Sequence, residues 1–425
     1  MSIERAISAE QSPTLATDDD SAVVAPSVYG RTFWLCFAAN FSMVCANSLT
    51  FRFAELVTFL GGSELTTGEI IQAGMIGALV SRLFLGQLLD RYGTRLVWVG
   101  ASLLFVVSCL AFVSIRDLSW MIYAARIGFA VGIAGMSTAG ILYIQNQVPG
   151  ERRTEVIGNF GSSGFLGMVI GSQLGDLIFW LTDEGALQFR ILFGAATGLA
   201  VVYLVLSAIV TRGDGHERPH ETPHIFRLMR RHWPGVIVLA AIMMGVNLSV
   251  ATVFLTRMTT TRGLGGIGTF FLGYCFSAFC FRVASASWAS KFGRHKLILM
   301  GLSGHAIGHV LLAFCQAQWH LIIPALSCGF GHALLFPSVV SLGSGVFPKQ
   351  YRGTGTTIVL GFTEVGVAIS APALGWLIDT CRERGVADPY VPMFFASATT
   401  AVIAGVIYYF ATRGTSDDLQ FDPED

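Results

Sequence analysis

Charges inside long apolar runs are costly, and by default they mark a pathway, a relay or a structural pair. Arg82 and Arg282 each stand eight residues before equivalent positions of a charged turn. The first turn reads Gly86-Gln-Leu-Leu-Asp90-Arg91-Tyr-Gly93-Thr-Arg95, and its degraded copy Ala286-Ser-Trp-Ala-Ser290-Lys291-Phe-Gly293-Arg294. Eight residues are about 12 Å of helix, so both guanidiniums are expected at one depth in two related halves, facing a common axis. Opposed guanidiniums suit an anion, since each grips an oxyanion through two N–H groups; the alternative is that each snorkels to the nearer surface. Glu364 is the lone carboxylate near the middle of any run. Too deep to stretch to water, it either exchanges a proton or forms a static pair with Arg282 or Arg126. Proton coupling is assigned to Glu364, Arg126 and His332, with structural roles for Arg126 and His332 as the competing reading. Asn47, Asn247, Gln173 and Tyr274 join Arg82 and Arg282 as substrate contacts, each equally able to serve as a helix–helix hydrogen bond. Arg52, with Glu55 three residues on at ion-pair spacing, and Arg257 are read as an outer vestibule or as interface anchors.

The elements that must carry these groups are long apolar helices. The chain has 425 residues, 53% hydrophobic and only 13% charged, with a mean hydropathy of +0.62. A soluble protein would carry about a quarter charged residues. Runs of about 20 residues, each able to cross about 30 Å of hydrocarbon, are expected near 32–57, 67–89, 96–115, 119–145, 156–181, 188–211, 234–257, 265–289, 297–316, 319–345, 354–379 and 391–412. With both termini inside, most basic residues, among them Arg91, Arg95, Arg153, Arg230, Lys291 and Lys296, fall on cytoplasmic segments. Few, such as Arg116, Arg190, Arg262 and Arg384, fall outside, which obeys the positive-inside rule. The fold class is an all-α membrane protein of twelve transmembrane helices in two pseudo-symmetric six-helix bundles. Its expected divisions are a disordered cytoplasmic tail (1–31), an N-terminal bundle (32–211), a cytoplasmic linker (212–233), a C-terminal bundle (234–412) and a second tail (413–425). No secretory signal is read in the polar first thirty residues. Seven of the eight cysteines fall in spans and only Cys381 outside, so no disulfide framework is implied.

The repeat extends past the turn: Asn47 matches Asn247, Pro149 and Arg153 match Pro348 and Arg352, and Gly161 and Gly175 match Gly361 and Gly375. With these residues the chain resembles the major facilitator superfamily over essentially all of 32–412. The family's loop motif G-x-L-x-D-R-x-G-x-R is met by Gly86, Leu88, Asp90, Arg91, Gly93 and Arg95. The resemblance implies two bundles around a central cavity that exchange access by rocking, with spans 1, 4, 7 and 10 lining it and spans 3, 6, 9 and 12 facing lipid. Asp90, Arg91, Gly93, Arg95, Lys291 and Arg294 are then gating candidates, a lock that is asymmetric because Ser290 replaces the carboxylate; the alternative is that these cations only enforce topology. The fourth span keeps Arg126 and Gly132 but has Phe129-Ala130 where many relatives carry Gln-Gly, and Gly171-Ser172 stands where antiporters carry Gly-Pro. The arginine pair and Gly158-Asn159-Phe160-Gly161 also resemble nitrate/nitrite porters of the superfamily, over few residues. Glycines 158, 161, 164, 167, 171 and 175 form a small-residue face on the fifth span, while His305 and His309 are read as packing residues on a ninth span that faces lipid or the bundle edge.

His216-Glu217-Arg-Pro-His220 formally fits a zinc-peptidase pattern. Pro219 and Pro223 oppose the helix that chemistry needs, and no Gly-x-x-x-x-Gly-Lys loop supports ATP-driven pumping. The sequence is thus expected to encode a secondary active carrier of a small solute rather than an enzyme, with alternating access, proton coupling and an organic or inorganic anion as substrate. A drug- or sugar-type efflux carrier and a non-transporting receptor of the same fold are the alternatives. The expected partners are solute, proton and the lipid of a bacterial inner membrane, with no cofactor, resident metal or nucleic acid, and a monomer as the working unit.

Overall fold

The computed structural model describes residues 29–147, 153–213, 225–285, 288–348 and 351–415. Helices dominate, and the described residues contain no strand. The first half holds α1 (Arg31–Phe59), α2 (Glu64–Leu89), α3 (Arg91–Ser114), α4 (Trp120–Asn146), α5 (Arg153–Leu181) and α6 (Ala186–Val210). The second holds α7 (Ile237–Thr261), α8 (Gly268–Ala284), α9 (Arg294–Ala313), α10 (Gln318–Gly345), α11 (Arg352–Glu383) and α12 (Tyr390–Thr412). Eleven of them are long and apolar enough to cross a membrane, and α8 is shorter at 17 residues. Such helices form because a chain in hydrocarbon must satisfy its backbone internally. Of the expected tails and linker, 1–28, 214–224 and 416–425 lie outside the described residues, with the His216–His220 stretch. Ile225–Arg231 is a short helix.

The two charged turns share one backbone solution. Gly93 adopts φ 81°, ψ 160° in the first turn of α3, and Gly293 adopts φ 82°, ψ 148° before α9. A side chain there would be strained, so both turns require glycine. The end of the molecule carrying these turns, Arg31 and Arg413 is called the terminal end below, and the opposite end the distal end.

Inside each half the helices approach closely. A methyl group on Gly171 of α5 would overlap the Cys45 carbonyl of α1, and one on Gly245 of α7 the Thr363 carbonyl of α11. The small-residue face read on α5 therefore works through Gly167 and Gly171, whereas nothing approaches Gly161. In the first half Trp98 donates to the Tyr203 hydroxyl at 2.6 Å, and Phe112 packs on Phe129 and Phe193. Leu103, Val107 and Leu110 on α3, Val201 and Val205 on α6, and Val402 and Ile403 on α12 point outward, as lipid contact requires. On α9, His305 and His309 are buried against α10 and α12, as packing residues would be, because Gly301, Gly304 and Gly308 let α10 seat directly on the helix.

The halves meet along two seams, α2 with α11 and α5 with α8. On the first, Gly68 lies against the Ala371-Pro372 backbone, Gly375 against the Glu64 carbonyl, and Gln72 donates to the Ala368 carbonyl at 2.9 Å.

Candidate functional site

At the distal end each half caps a helix of the other. Asp176 of α5 accepts from the backbone N–H groups of Ile267 and Gly268 at 3.2 and 2.6 Å, at the start of α8. Asp379 of α11 accepts from those of Glu64 and Leu65 at 3.3 and 2.7 Å, at the start of α2. A carboxylate at a helix amino end satisfies orphan donors and complements the dipole. Arg52 binds Asp176 at 2.6 Å and Glu55 at 2.9 Å, and its guanidinium lies 3.9 Å from the centroid of the Phe179 ring. Glu55 also accepts from Thr260. Arg257 reaches across to Glu64 at 3.1 Å, and the Tyr390 hydroxyl donates to the same oxygen at 2.9 Å. Phe51 stacks on Phe271 beneath these clusters. The distal end is closed.

Deeper in, the seam α2–α11 contains an ion pair: Arg82 Nε donates to Glu364 Oε1 at 2.7 Å, and Arg82 also reaches Thr138. The second carboxylate oxygen of Glu364 is buried without a partner. Arg282 has the same register in α8, yet among the described residues it has no ion-pair partner and its Nε is buried unpaired. It faces the rings of Phe165 and Phe336 at 5.0 and 5.8 Å, a cation–π setting that offsets only part of a guanidinium's desolvation. Beside it lies a cavity of about 120 Å³ lined by Met168, Asn247, Tyr274, His332, Phe336 and Thr363, among others. Both polar atoms of the Asn247 side chain and the Thr363 hydroxyl are buried without partners. Unpaired groups converging on an apolar cavity are what a small-molecule site presents.

The sequence matches the profile of the Major Facilitator Superfamily over residues 35–287 and again over 237–421. The chain belongs to this superfamily. An uncharacterized MFS-type transporter of Burkholderia mallei (strain SAVP1) is 23% identical over 411 residues, covering 92% of this chain and 95% of that protein. A multi-drug resistance efflux pump PmrA homolog of Lactococcus lactis subsp. lactis (strain IL1403) is 24% identical over 305 residues, 68% of this chain and 73% of its own. The crystal structure of an auto-inhibited POT family peptide transporter superposes with a TM-score of 0.74 at 12% identity, covering 93% of this chain and 99% of that one. The fold is therefore that of an MFS transporter, an integral multi-pass membrane protein.

Within this superfamily member the residues singled out from sequence separate into groups. Glu364 pairs with Arg82, neither Arg282 nor Arg126, because α11 packs on α2 rather than on α8 or α4. Among the described residues no hydrogen bond or ion pair joins Glu364, Arg126 and His332. Arg126 is 9% exposed and enclosed by Phe53 and Phe129 with Nε and one terminal nitrogen unpaired. His332 stacks on Phe336 and meets Phe165 and Tyr274 edgewise or tilted. Asn247 and Tyr274 line the cavity; Asn47 is half-buried in α1, and Gln173 lies exposed beside Gly268. Arg52, Glu55 and Arg257 sit in closed clusters rather than lining a vestibule. At the terminal end Arg91, Arg95 and Lys291 are exposed and form no ion pair among the described residues, Arg91 lying over the Tyr92 ring. The side chain of Asp90 lies outside the described residues, and Arg294 is half-buried next to the Gly293 turn. Asp176, Asp379 and Glu64 were not singled out from the sequence; each acts on a residue far along the chain, and only their position at apolar helix ends hinted at them.

Proposed function

We propose that this MFS protein carries a small organic anion together with a proton by alternating access, as a monomer, with its terminal end in the cytoplasm of a bacterial inner membrane. One observation carries the reading: Arg282 is a half-buried guanidinium whose Nε is buried unpaired and which has no carboxylate partner among the described residues, beside an apolar cavity, while its repeat-mate Arg82 is neutralised. A buried unpaired cation is unstable until a counter-charge arrives, and an anionic headgroup supplies it. Phe165, Phe336 and Met168 suit an apolar body on that headgroup. Coupling follows from the other arginine. A proton on Glu364 releases Arg82, which then has a charge to offer the same anion, so proton and anion load together. A monovalent anion moved with one proton transfers no net charge. Proteoliposomes tested with a panel of carboxylates should show uptake driven by a pH gradient and indifferent to a potassium-diffusion potential. Potential-driven uptake without a pH gradient would remove the coupling scheme.

A second reading has its own support: the likeness to a multi-drug efflux pump homolog and the aromatic cavity favour an apolar, drug-like solute. Thermal-shift screening of the purified protein separates the two. Stabilisation by carboxylates that vanishes in Arg282→Gln supports the anion; stabilisation by neutral or cationic aromatics retained in that variant supports the drug. Failure of every solute to move would favour a receptor.

A further inference from the structure

We infer that α9 and α10 hold a binding site for monovalent copper, built from His305, His309 and Cys328. One ligand atom from each lies within 4.8 Å of the other two, and the three residues are buried at 5%, 1% and 3% exposure. Ligands about 2.0–2.3 Å from one metal sit somewhat closer together than this, so small side-chain rotations close the set. Two features show a built site. His305 Nδ1 is buried without any partner, a donor position the fold leaves unsatisfied. His309 Nδ1 bonds the Ser397 hydroxyl of α12 at 2.9 Å, which fixes the ring and frees its other nitrogen, as outer partners of metal-bound histidines do. Glycines make the room: a methyl at Gly308 would strike the Cys328 sulfur, and one at Gly331 the His305 ring.

Charge selects the ion. The residues lining the adjoining cavity include no carboxylate. Monovalent copper bound by one thiolate and two neutral imidazoles is a neutral centre, and thiolate and imidazole are ligands copper favours. A zinc dication on the same donors would leave a net positive charge in a core that already holds Arg282. Binding breaks the Cys328 S–H bond, forms the Cu–S bond and passes the proton to solvent through the cavity, onto which all three ligands open.

The test uses the full-length protein in detergent, metal-free and under reducing conditions, titrated with copper(I) against a chromogenic competitor. One equivalent is expected to bind, with an X-ray absorption signature of one sulfur and two nitrogens. Cys328→Ser and His309→Gln should weaken binding more than about a hundredfold, and Ser397→Ala about tenfold, the range for losing an outer partner. His320→Gln, at the distal start of α10, should change nothing. Melting temperatures of the metal-free variants check folding. Copper bound with unchanged affinity in folded Cys328→Ser, a shell without sulfur in the wild type, or zinc held equally tightly would each overturn the site.

Discussion

Arg82 and Arg282 occupy one register in two halves of a repeat, and the fold treats them oppositely. Arg82 has Glu364 across the α2–α11 seam; the position related to Glu364 by the repeat is Gly164, and Arg282 meets the Phe165 ring across the α5–α8 seam and the Phe336 ring of α10 in its own half. Duplication supplied two cations and divergence kept one counter-charge. A symmetric pair would either hold two static bridges or demand a dianion. The asymmetric one has a bridge on one side and a cation without a carboxylate on the other among the described residues, which in the proposed scheme divides coupling from recognition.

The strongest way to break this comparison is Glu364→Gln, which leaves both guanidiniums without carboxylates. Loss of a partner from a buried pair costs about 3–5 kcal/mol. Proton-driven accumulation should disappear while counterflow exchange persists; a pH dependence like that of the wild type would remove Glu364 from the coupling. Arg282→Gln should weaken anion binding by about a hundredfold or more, the worth of a buried charge-assisted contact of about 3 kcal/mol, read by calorimetry on a carboxylate identified in the flux panel. Arg82→Gln should weaken it far less in the unprotonated state, and equal losses would refute the division of labour. Gly164→Glu sharpens the contrast by giving Arg282 a carboxylate where the repeat places one. About tenfold weaker anion binding with unchanged proton release on Glu364 is expected, and tighter binding would argue that Arg282 does not touch the anion. The smallest effect concerns the two caps. Asp176→Asn should loosen the closed distal end by about 1–2 kcal/mol and Asp379→Asn by less, since Asp176 pairs with the buried Arg52 whereas Asp379 pairs with the half-exposed Arg382 at 2.9 Å. Labelling rates of a cysteine introduced at Thr256, which is buried and bonded to the Phe51 carbonyl of the other half, would report both, and the reverse order would contradict the geometry.

The elements were legible because hydrocarbon imposes one rule on every segment: length and apolarity locate helices, and the repeated Gly93 and Gly293 locate their reversals. Even there α8 came out shorter than its apolar run. The pairings were not legible. An apolar helix carries no periodic mark of which side meets protein, so His305 and His309 could be read as packing but not assigned to the contact with α10 and α12 that buries them. Glu364 was recognised as costly, but its partner lies 282 positions away. The sequence pointed to Arg282 or Arg126, and finding Arg82 instead required knowing that α11 crosses α2. The caps by Asp176 and Asp379 were invisible for the same reason, being contacts to backbone that any residue at the start of α8 or α2 could make.

Those caps have a consequence for the opposite conformation. Once the halves part at the distal end, Asp176 and Asp379 withdraw with their own bundles. The first turns of α8 and α2 then expose bare N–H groups, each helix end equivalent to roughly half a positive charge. Arg257 is released beside one of them. The seal, taken apart, sets these positive helix ends and the arginines among the freed carboxylates Glu55, Glu64, Asp176 and Asp379, so the open mouth carries charge of both signs. Ions in solution screen those freed groups, so raised ionic strength should favour the open mouth over the closed one.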